Sequence, residues 1–95
     1  MVKNQNQIFQ TINRLDPKAF QKWNAREFLV TENHDRIRFT VTGEQFSGFI
    51  HIHIIDDFYK ITAFTLDKGE IKKEILLETI EVDELIYSIN KIING

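Results

Sequence analysis

Residues 46–55 read FSGFIHIHII, the longest run in the chain in which side chains alternate with a period of two. Most of the apolar residues in this run are β-branched, which favours a strand. Alternation predicts one apolar row, formed by Phe46, Ile50, Ile52 and Ile54. It predicts a mixed row on the opposite face, formed by Ser47, Phe49, His51, His53 and Ile55. We therefore interpret residues 46–55 as the central strand of a sheet.

Composition indicates a globular domain. The chain has 95 residues, of which 42% are hydrophobic and 27% are charged. This length is close to the commonest domain size, so we predict one domain over residues 1–95. The chain contains no cysteine, which excludes thiol catalysis, thiolate zinc sites and disulfides.

The charge pattern argues against nucleic acid as a partner. The formal net charge is -2, with basic residues in excess in the first half of the chain and acidic residues in the second. Counterion release on nucleic acid requires several clustered cations, which this pattern does not supply. The N-terminal residues are polar, and no stretch has the ~20 apolar residues of a membrane span. We therefore expect a cytoplasmic protein without membrane contact, from a bacterial source. Ile, Lys and Asn are plentiful, as codon bias in an AT-rich genome would produce.

Helical periodicity occurs at both ends of the chain. Over residues 4–15, Ile8, Ile12 and Leu15 form an apolar stripe, which predicts an amphipathic helix. Asp16 and Pro17 then predict the cap and first residue of a second helical segment that ends near residue 24. The predicted inward residues of that segment are Phe20 and Trp23. A last helix is predicted after the N-cap Asp83, with the stripe Leu85, Ile86, Ile89, Ile92 and Ile93.

The first two hairpins are predicted from registers that keep apolar residues opposite each other. Closing residues 28–31 on residues 36–42 through a loop at 32–35 pairs Val30 with Ile37 and Phe28 with Phe39. A two-residue loop at Gly43 and Glu44 then pairs Ile37 with Ile50. Both registers leave one face of the sheet apolar.

The next two hairpins depend on the turns after the central strand. A two-residue turn at Asp56 and Asp57 pairs Ile52 with Ile61. After Leu66 we predict a three-residue loop, 67–69, because a two-residue loop would turn Lys72 and Glu74 toward the core. The three-residue loop places Ile75 opposite Ile61, in a fifth strand over residues 70–79, with Lys73 near the core-facing edge.

The order of these elements predicts the fold class. An N-terminal helical pair, a five-stranded antiparallel meander and a C-terminal helix make a two-layer α+β domain. The helices can cover only one face of the sheet. The other face therefore remains open, and we call it the outer face.

The outer face combines apolar and charged side chains in the arrangement typical of an interface. Its predicted centre is Phe49 opposite Phe64. The predicted interaction residues are Phe49, Phe64, Leu66, Ile55, Phe58 and Leu76, with Arg38, His51 and His53 among the polar residues around them. The alternative interpretation is ordinary cross-strand packing on a solvated sheet.

Histidine spacing is the main chemical motif of the sequence. His51 and His53 point to the same side of a strand, as two ligands of one metal ion would. No third ligand is placed beside them, because Lys60 is predicted opposite His53 and His34 lies in a distant loop. Ser47 and His51 are about 13 Å apart along the strand, too far for a catalytic pair. We therefore predict no catalytic residue, no metal site and no cofactor.

Two functional hypotheses remain. The first is a non-enzymatic interaction or regulatory module whose partner is another protein or a second copy of the chain, bound on the outer face. The second is a small-molecule-binding or catalytic domain that uses a helix–sheet pocket or the His51 and His53 face. Trp23 and Tyr59 are candidates for lining such a pocket, although both residues also suit a core. A concave cavity with converging polar groups would favour the second hypothesis.

Overall fold

A computed structural model describes residues 6–30 and 35–95. Two short helices come first, α1 (Gln7–Leu15) and α2 (Ala19–Lys22). Five strands follow, namely β1 (Arg26–Val30), β2 (Arg36–Thr42), β3 (Ser47–Ile55), β4 (Phe58–Asp67) and β5 (Glu70–Ile80). A 3₁₀ turn, Val82–Glu84, leads into α3 (Leu85–Asn94). The strands form one antiparallel sheet in the order β1-β2-β3-β4-β5, which confirms the predicted α+β fold class.

The core lies between the helices and the inner face of the sheet. The sheet contributes fully buried residues from its three central strands, including Ile37, Phe39, Ile50, Ile52, Ile61 and Ala63. The helices contribute Ile8 and Ile12 from α1 and Leu85, Ile89 and Ile93 from α3. All of these side chains belong to one hydrophobic cluster, so α1 and α3 cover the same face of the sheet.

The buried side chain of Asn6 caps the N-terminus of α1. The Asn6 side chain accepts a hydrogen bond from the Phe9 N–H at 3.0 Å and donates one to the Arg36 carbonyl at 2.8 Å. The helix predicted over residues 4–15 is therefore confirmed from residue 7 onward, and residues 4 and 5 lie outside the described residues.

The predicted start of the second helix is wrong. The Asp16 carboxylate accepts from the Lys18 N–H at 3.1 Å, as the predicted cap would, but residues 17 and 18 form a turn and not the first residues of a helix. Helix α2 consequently begins at Ala19. Trp23 follows it and is fully buried, as the sequence predicts.

The register between β1 and β2 is confirmed where it is described. Val30 lies opposite Ile37, and the Phe28 and Phe39 rings are 5.4 Å apart. A bulge near Glu27, which has φ 56°, offsets the pairing of Arg26. Residues 31–34 of the predicted loop, His34 among them, lie outside the described residues.

The predicted register between β2 and β3 is wrong by two residues. Ile37 lies opposite Ile52 and not Ile50, so the connection is the four-residue loop 43–46. The cause is tertiary, because the N–H groups of Gln45 and Phe46 both donate to the Ile93 carbonyl of α3, at 2.8 and 3.1 Å. A shift of two residues preserves the alternation, so the predicted core row still faces the core.

The register between β3 and β4 is confirmed. Ile52 lies opposite Ile61, with Asp56 and Asp57 at the turn. Both aspartates have positive φ, 50° and 71°, as a two-residue type I′ turn requires.

The predicted register between β4 and β5 is wrong, although the faces are right. The turn is the two-residue one, at Lys68 and Gly69, with Asp67 opposite Glu70. A bulge then adds one residue to β5 between Ile71 and Lys73 and restores the alternation. Ile75 consequently lies opposite Ala63, and Leu77 lies opposite Ile61.

The C-terminal helix has the predicted apolar stripe but a different start. Leu85, Ile89 and Ile93 are fully buried. Asp83 is not the cap. Glu81 and Glu84 form a reciprocal capping box around the 3₁₀ turn instead.

Candidate functional site

The centre of the outer face is a stacked aromatic pair. Phe49 lies opposite Phe64, as predicted, with ring centroids 5.1 Å apart and ring planes at 12°. The Arg38 guanidinium lies over the Phe49 ring, 5.6 Å from its centroid. Both phenyl rings remain partly exposed, since none of the described helices covers this side of the sheet.

Large apolar side chains extend the aromatic pair across the outer face. Ile55 lies opposite Phe58 at one end of the central hairpin, and Leu76 lies on the same face opposite Thr62. Among the described residues of this face, six such side chains are exposed by more than a third, namely Leu29, Ile55, Phe58, Leu66, Ile71 and Leu76. The apolar residues predicted from the sequence therefore do lie together on one face.

Two members of this surface are absent from the predicted set. Leu29 lies opposite Arg38, so it belongs to the outer face. Alternation along β1 could have predicted Leu29 on the outer face, because its neighbours Phe28 and Val30 are both predicted in the core row. Ile71 lies opposite Leu66 because the turn at Lys68 and Gly69 has two residues and not the predicted three.

Charge is distributed unevenly across the outer face. Strand β2 carries Arg36 and Arg38, opposite His53 and His51. Strand β5 carries Glu74, opposite Phe64, and Glu78, which lies near Lys60. The β2 side of the aromatic pair is therefore the more basic one and the β5 side the more acidic one, with Asp35 3.5 Å from Arg36 and Lys60 opposite His53.

A shallow depression lies on the basic side of the outer face. It has a volume of about 190 Å³. Its lining consists of Leu29, Arg36, Ile37, Arg38, His51 and Phe64. An apolar or anionic side chain from a partner would match this lining, because arginines flank an apolar floor.

The two histidines have different surroundings. His53 Nε2 lies 3.4 Å from the Asp35 carboxylate. Partial burial lowers the pKa of His51 from its ordinary value, and the charges of His53, Arg36, Arg38 and Lys60 lower it further. Within residues 6–30 and 35–95, no group of three His, Asp or Glu side chains could hold a metal ion.

We predict that acidification destabilises the protein through His51. In the unfolded chain this imidazole titrates near its ordinary value of about 6.5, and its pKa is lower in the folded protein. The unfolded chain therefore binds the proton first, so stability is unaffected well above that value and is lost as the pH falls through it. Urea unfolding between about pH 5 and about pH 7.5 should show a shallower loss of stability for His51→Gln than for the wild type. His53→Gln should reduce the loss only in part, because it removes one of the charges that lower the His51 pKa and leaves the other causes in place. Parallel pH profiles for the wild type and His51→Gln would contradict the prediction.

The other predicted chemical groups have structural roles. The Ser47 hydroxyl accepts from the Gly43 N–H at 3.3 Å and donates to the Gly43 carbonyl at 3.4 Å, so its bonds are to the 43–46 loop and not to His51. Trp23 is fully buried and Tyr59 is 6% exposed, so both residues belong to the core cluster.

The chain matches no protein-family model, no curated protein and no solved structure. No helix in the described part of the chain is long and apolar enough to cross a membrane. The case for a function therefore depends on the surfaces described above.

Proposed function

We propose that this protein is a non-enzymatic interaction module that forms a homodimer through its outer face. The observation that carries the proposal is the stacked Phe49 and Phe64 pair, on a sheet face that none of the described helices covers. The absence of cysteine suits the reducing cytoplasm, and we place the module in a bacterial cytoplasm.

Covering the outer face would remove a large apolar area from water. Burial stabilises by ~25 cal/mol per Å² of apolar surface, and each aromatic side chain offers ~150 to 250 Å². Leu29, Leu66, Ile71 and Leu76 lie on the same face and would add to this area. The arginines at the edge of this apolar centre are also typical of an interface.

Charge complementarity supports a second copy as the partner. A two-fold axis parallel to the strands, between β3 and β4, would bring β2 of one copy over β5 of the other. The basic side of each copy would then face the acidic side of its partner. The same axis would place Phe49 of one copy against Phe64 of the other. An axis perpendicular to the strands would instead bring the two arginine rows together, which like-charge repulsion disfavours.

The proposal predicts that Phe64→Lys weakens the dimer by about 100-fold or more, because the two-fold axis introduces the change twice into the centre of the interface. The monomer should remain folded, since Phe64 lies opposite Glu74 and a lysine there forms a favourable cross-strand pair. Sedimentation equilibrium gives the dissociation constant, and urea unfolding at low concentration gives the stability of the monomer.

Tyr87→Lys is the matched control, because Tyr87 is 66% exposed on α3 and away from the outer face. This substitution should leave the dimer intact.

The orientation of the two copies is tested in the same assay. Arg38→Glu should weaken the dimer, and adding Glu74→Arg should restore it. A wild-type protein that is monomeric at high micromolar concentration would contradict the proposal, and so would a dimer that Phe64→Lys does not weaken.

A further inference from the structure

A second concave site lies on the inner side of the sheet, between α3 and β5. Helices α1 and α3 cover the central strands, and the inner row of β5 is left only partly covered. The resulting cleft has a volume of about 600 Å³, which is within the range of small-molecule sites. Its apolar lining consists of Phe46, Ile75, Leu77, Ile80 and Ile92.

Two cations from different elements line the same cleft. Lys91 comes from α3, where its ammonium lies 5.8 Å from the centroid of the Tyr87 ring. Lys73 comes from β5, in the row of Ile75 and Leu77, because the bulge turns it toward the inner face. In the described part of the chain, neither lysine forms an ion pair with a protein carboxylate.

The combination of lining and charge defines the class of ligand. An apolar floor suits an aliphatic or aromatic tail, and lysines that lack a protein counter-ion suit an acidic head group. The Tyr87 and Ser88 side chains also line the cleft and add hydroxyl donors. We propose that the cleft between α3 and β5 binds a single-chain amphipathic anion, with its tail on the sheet and its head group between Lys73 and Lys91.

This inference goes beyond the proposed dimer and does not depend on it. The cleft uses the inner row of β5 and one side of α3, whereas the dimer uses the opposite face of the sheet. Loss of dimer formation in Phe64→Lys should therefore leave ligand binding unchanged.

Decanoate is the probe, titrated into the full chain below its micelle concentration and followed by calorimetry and by amide chemical shifts. We expect saturable binding with shifts clustered at Leu77, Tyr87 and Lys91, and no shifts at Phe49 or Phe64. Decyltrimethylammonium, which has the same tail and the opposite charge, should bind at least about tenfold more weakly. Added salt should weaken decanoate binding.

Substitution of the two cleft lysines tests their role in binding, with the neighbouring Lys72 as the matched control. Lys73→Gln combined with Lys91→Gln should weaken decanoate binding by about five- to tenfold, since both ammonium groups are solvent-exposed and screened. Lys72→Gln should leave it unchanged, because Lys72 does not line the cleft and lies 4.0 Å from Asp67. All three substitutions are at exposed positions, so the variants should remain folded.

Several results would overturn the proposal. Absence of saturable decanoate binding would do so, as would equal binding of decanoate and decyltrimethylammonium. Shifts centred on Phe49 and Phe64 would move the ligand to the outer face. Co-sedimentation with vesicles of anionic phospholipid, without binding of monomeric decanoate, would indicate a membrane surface and not a soluble ligand.

Discussion

Replacing Trp23 by alanine should lower the free energy of unfolding by about 3 to 5 kcal/mol, the range for removing a large aromatic side chain from a core. Trp23 is fully buried and stacks on Phe39, with centroids 6.2 Å apart and planes at 5°. Its ring also contacts Phe20 edge to face at 5.7 Å. The indole N–H donates to Asn90 Oδ1 at 2.6 Å, so this one side chain connects the residues after α2 with β2 and α3.

Urea unfolding followed by circular dichroism measures this loss, because Trp23 is the only tryptophan and its fluorescence is lost in the variant. Trp23→Phe separates the two contributions: it keeps most of the ring contacts and removes the bond to Asn90, so its loss should be smaller. Tyr87→Ala is the control, since Tyr87 is 66% exposed and its removal should have little effect. Similar losses for Trp23→Ala and Tyr87→Ala would contradict the assignment of Trp23 to the core.

Ile52→Ala should lower the free energy of unfolding by about 2 to 5 kcal/mol. Ile52 is fully buried in β3, between Ile37 on one neighbouring strand and Ile61 on the other. Rigid strands flank it on both sides, so the cavity left by the missing methyl groups cannot readily collapse. Thermal or urea unfolding at a protein concentration that keeps the chain monomeric gives the value.

The matched control is Ile71→Ala, the same chemical change at a site that is 57% exposed. Its effect on the monomer should be within about 0.5 kcal/mol. At concentrations that favour the proposed dimer, Ile71→Ala should instead weaken association, because Ile71 belongs to the outer face. An Ile52→Ala variant as stable as Ile71→Ala would place Ile52 outside the core.

Many features of the fold could be predicted from local sequence. The alternation over residues 46–55 identified the central strand and its two faces, because successive side chains in a strand point in opposite directions. The Asp56 and Asp57 turn could be placed because two residues are the shortest hairpin connection and both flanking strands then match. The pairing of Phe49 with Phe64 follows directly from that turn.

A tertiary contact decided the register between β2 and β3, one of the two that were predicted wrongly. The 43–46 loop is two residues longer than its glycine suggested because the carbonyl of Ile93 binds its N–H groups. Gly43 also lies so close to α3 that an added Cβ would overlap Ile93. The sequence of the hairpin alone does not reveal that its loop forms hydrogen bonds with a helix about fifty residues later in the chain.

The β4–β5 register is the second one that was predicted wrongly, and it affects both the outer face and the cleft. With strict alternation along β5, a two-residue turn would point Lys72 and Glu74 toward the core. The sequence pattern therefore favoured a three-residue loop. One extra residue in β5 allows a two-residue turn together with an apolar inner row, because after a bulge each following side chain points to the opposite face while the strands stay paired. The two-residue turn places Ile71 on the outer face, and the bulge after it places Lys73 in the cleft that Lys91 also lines. The sequence by itself therefore determined the order of elements and which residues are apolar on each face. Packing of α3 against the sheet decided the register between β2 and β3, because that register depends on contacts between residues far apart in the chain. The cleft required both α3 and the bulge in β5.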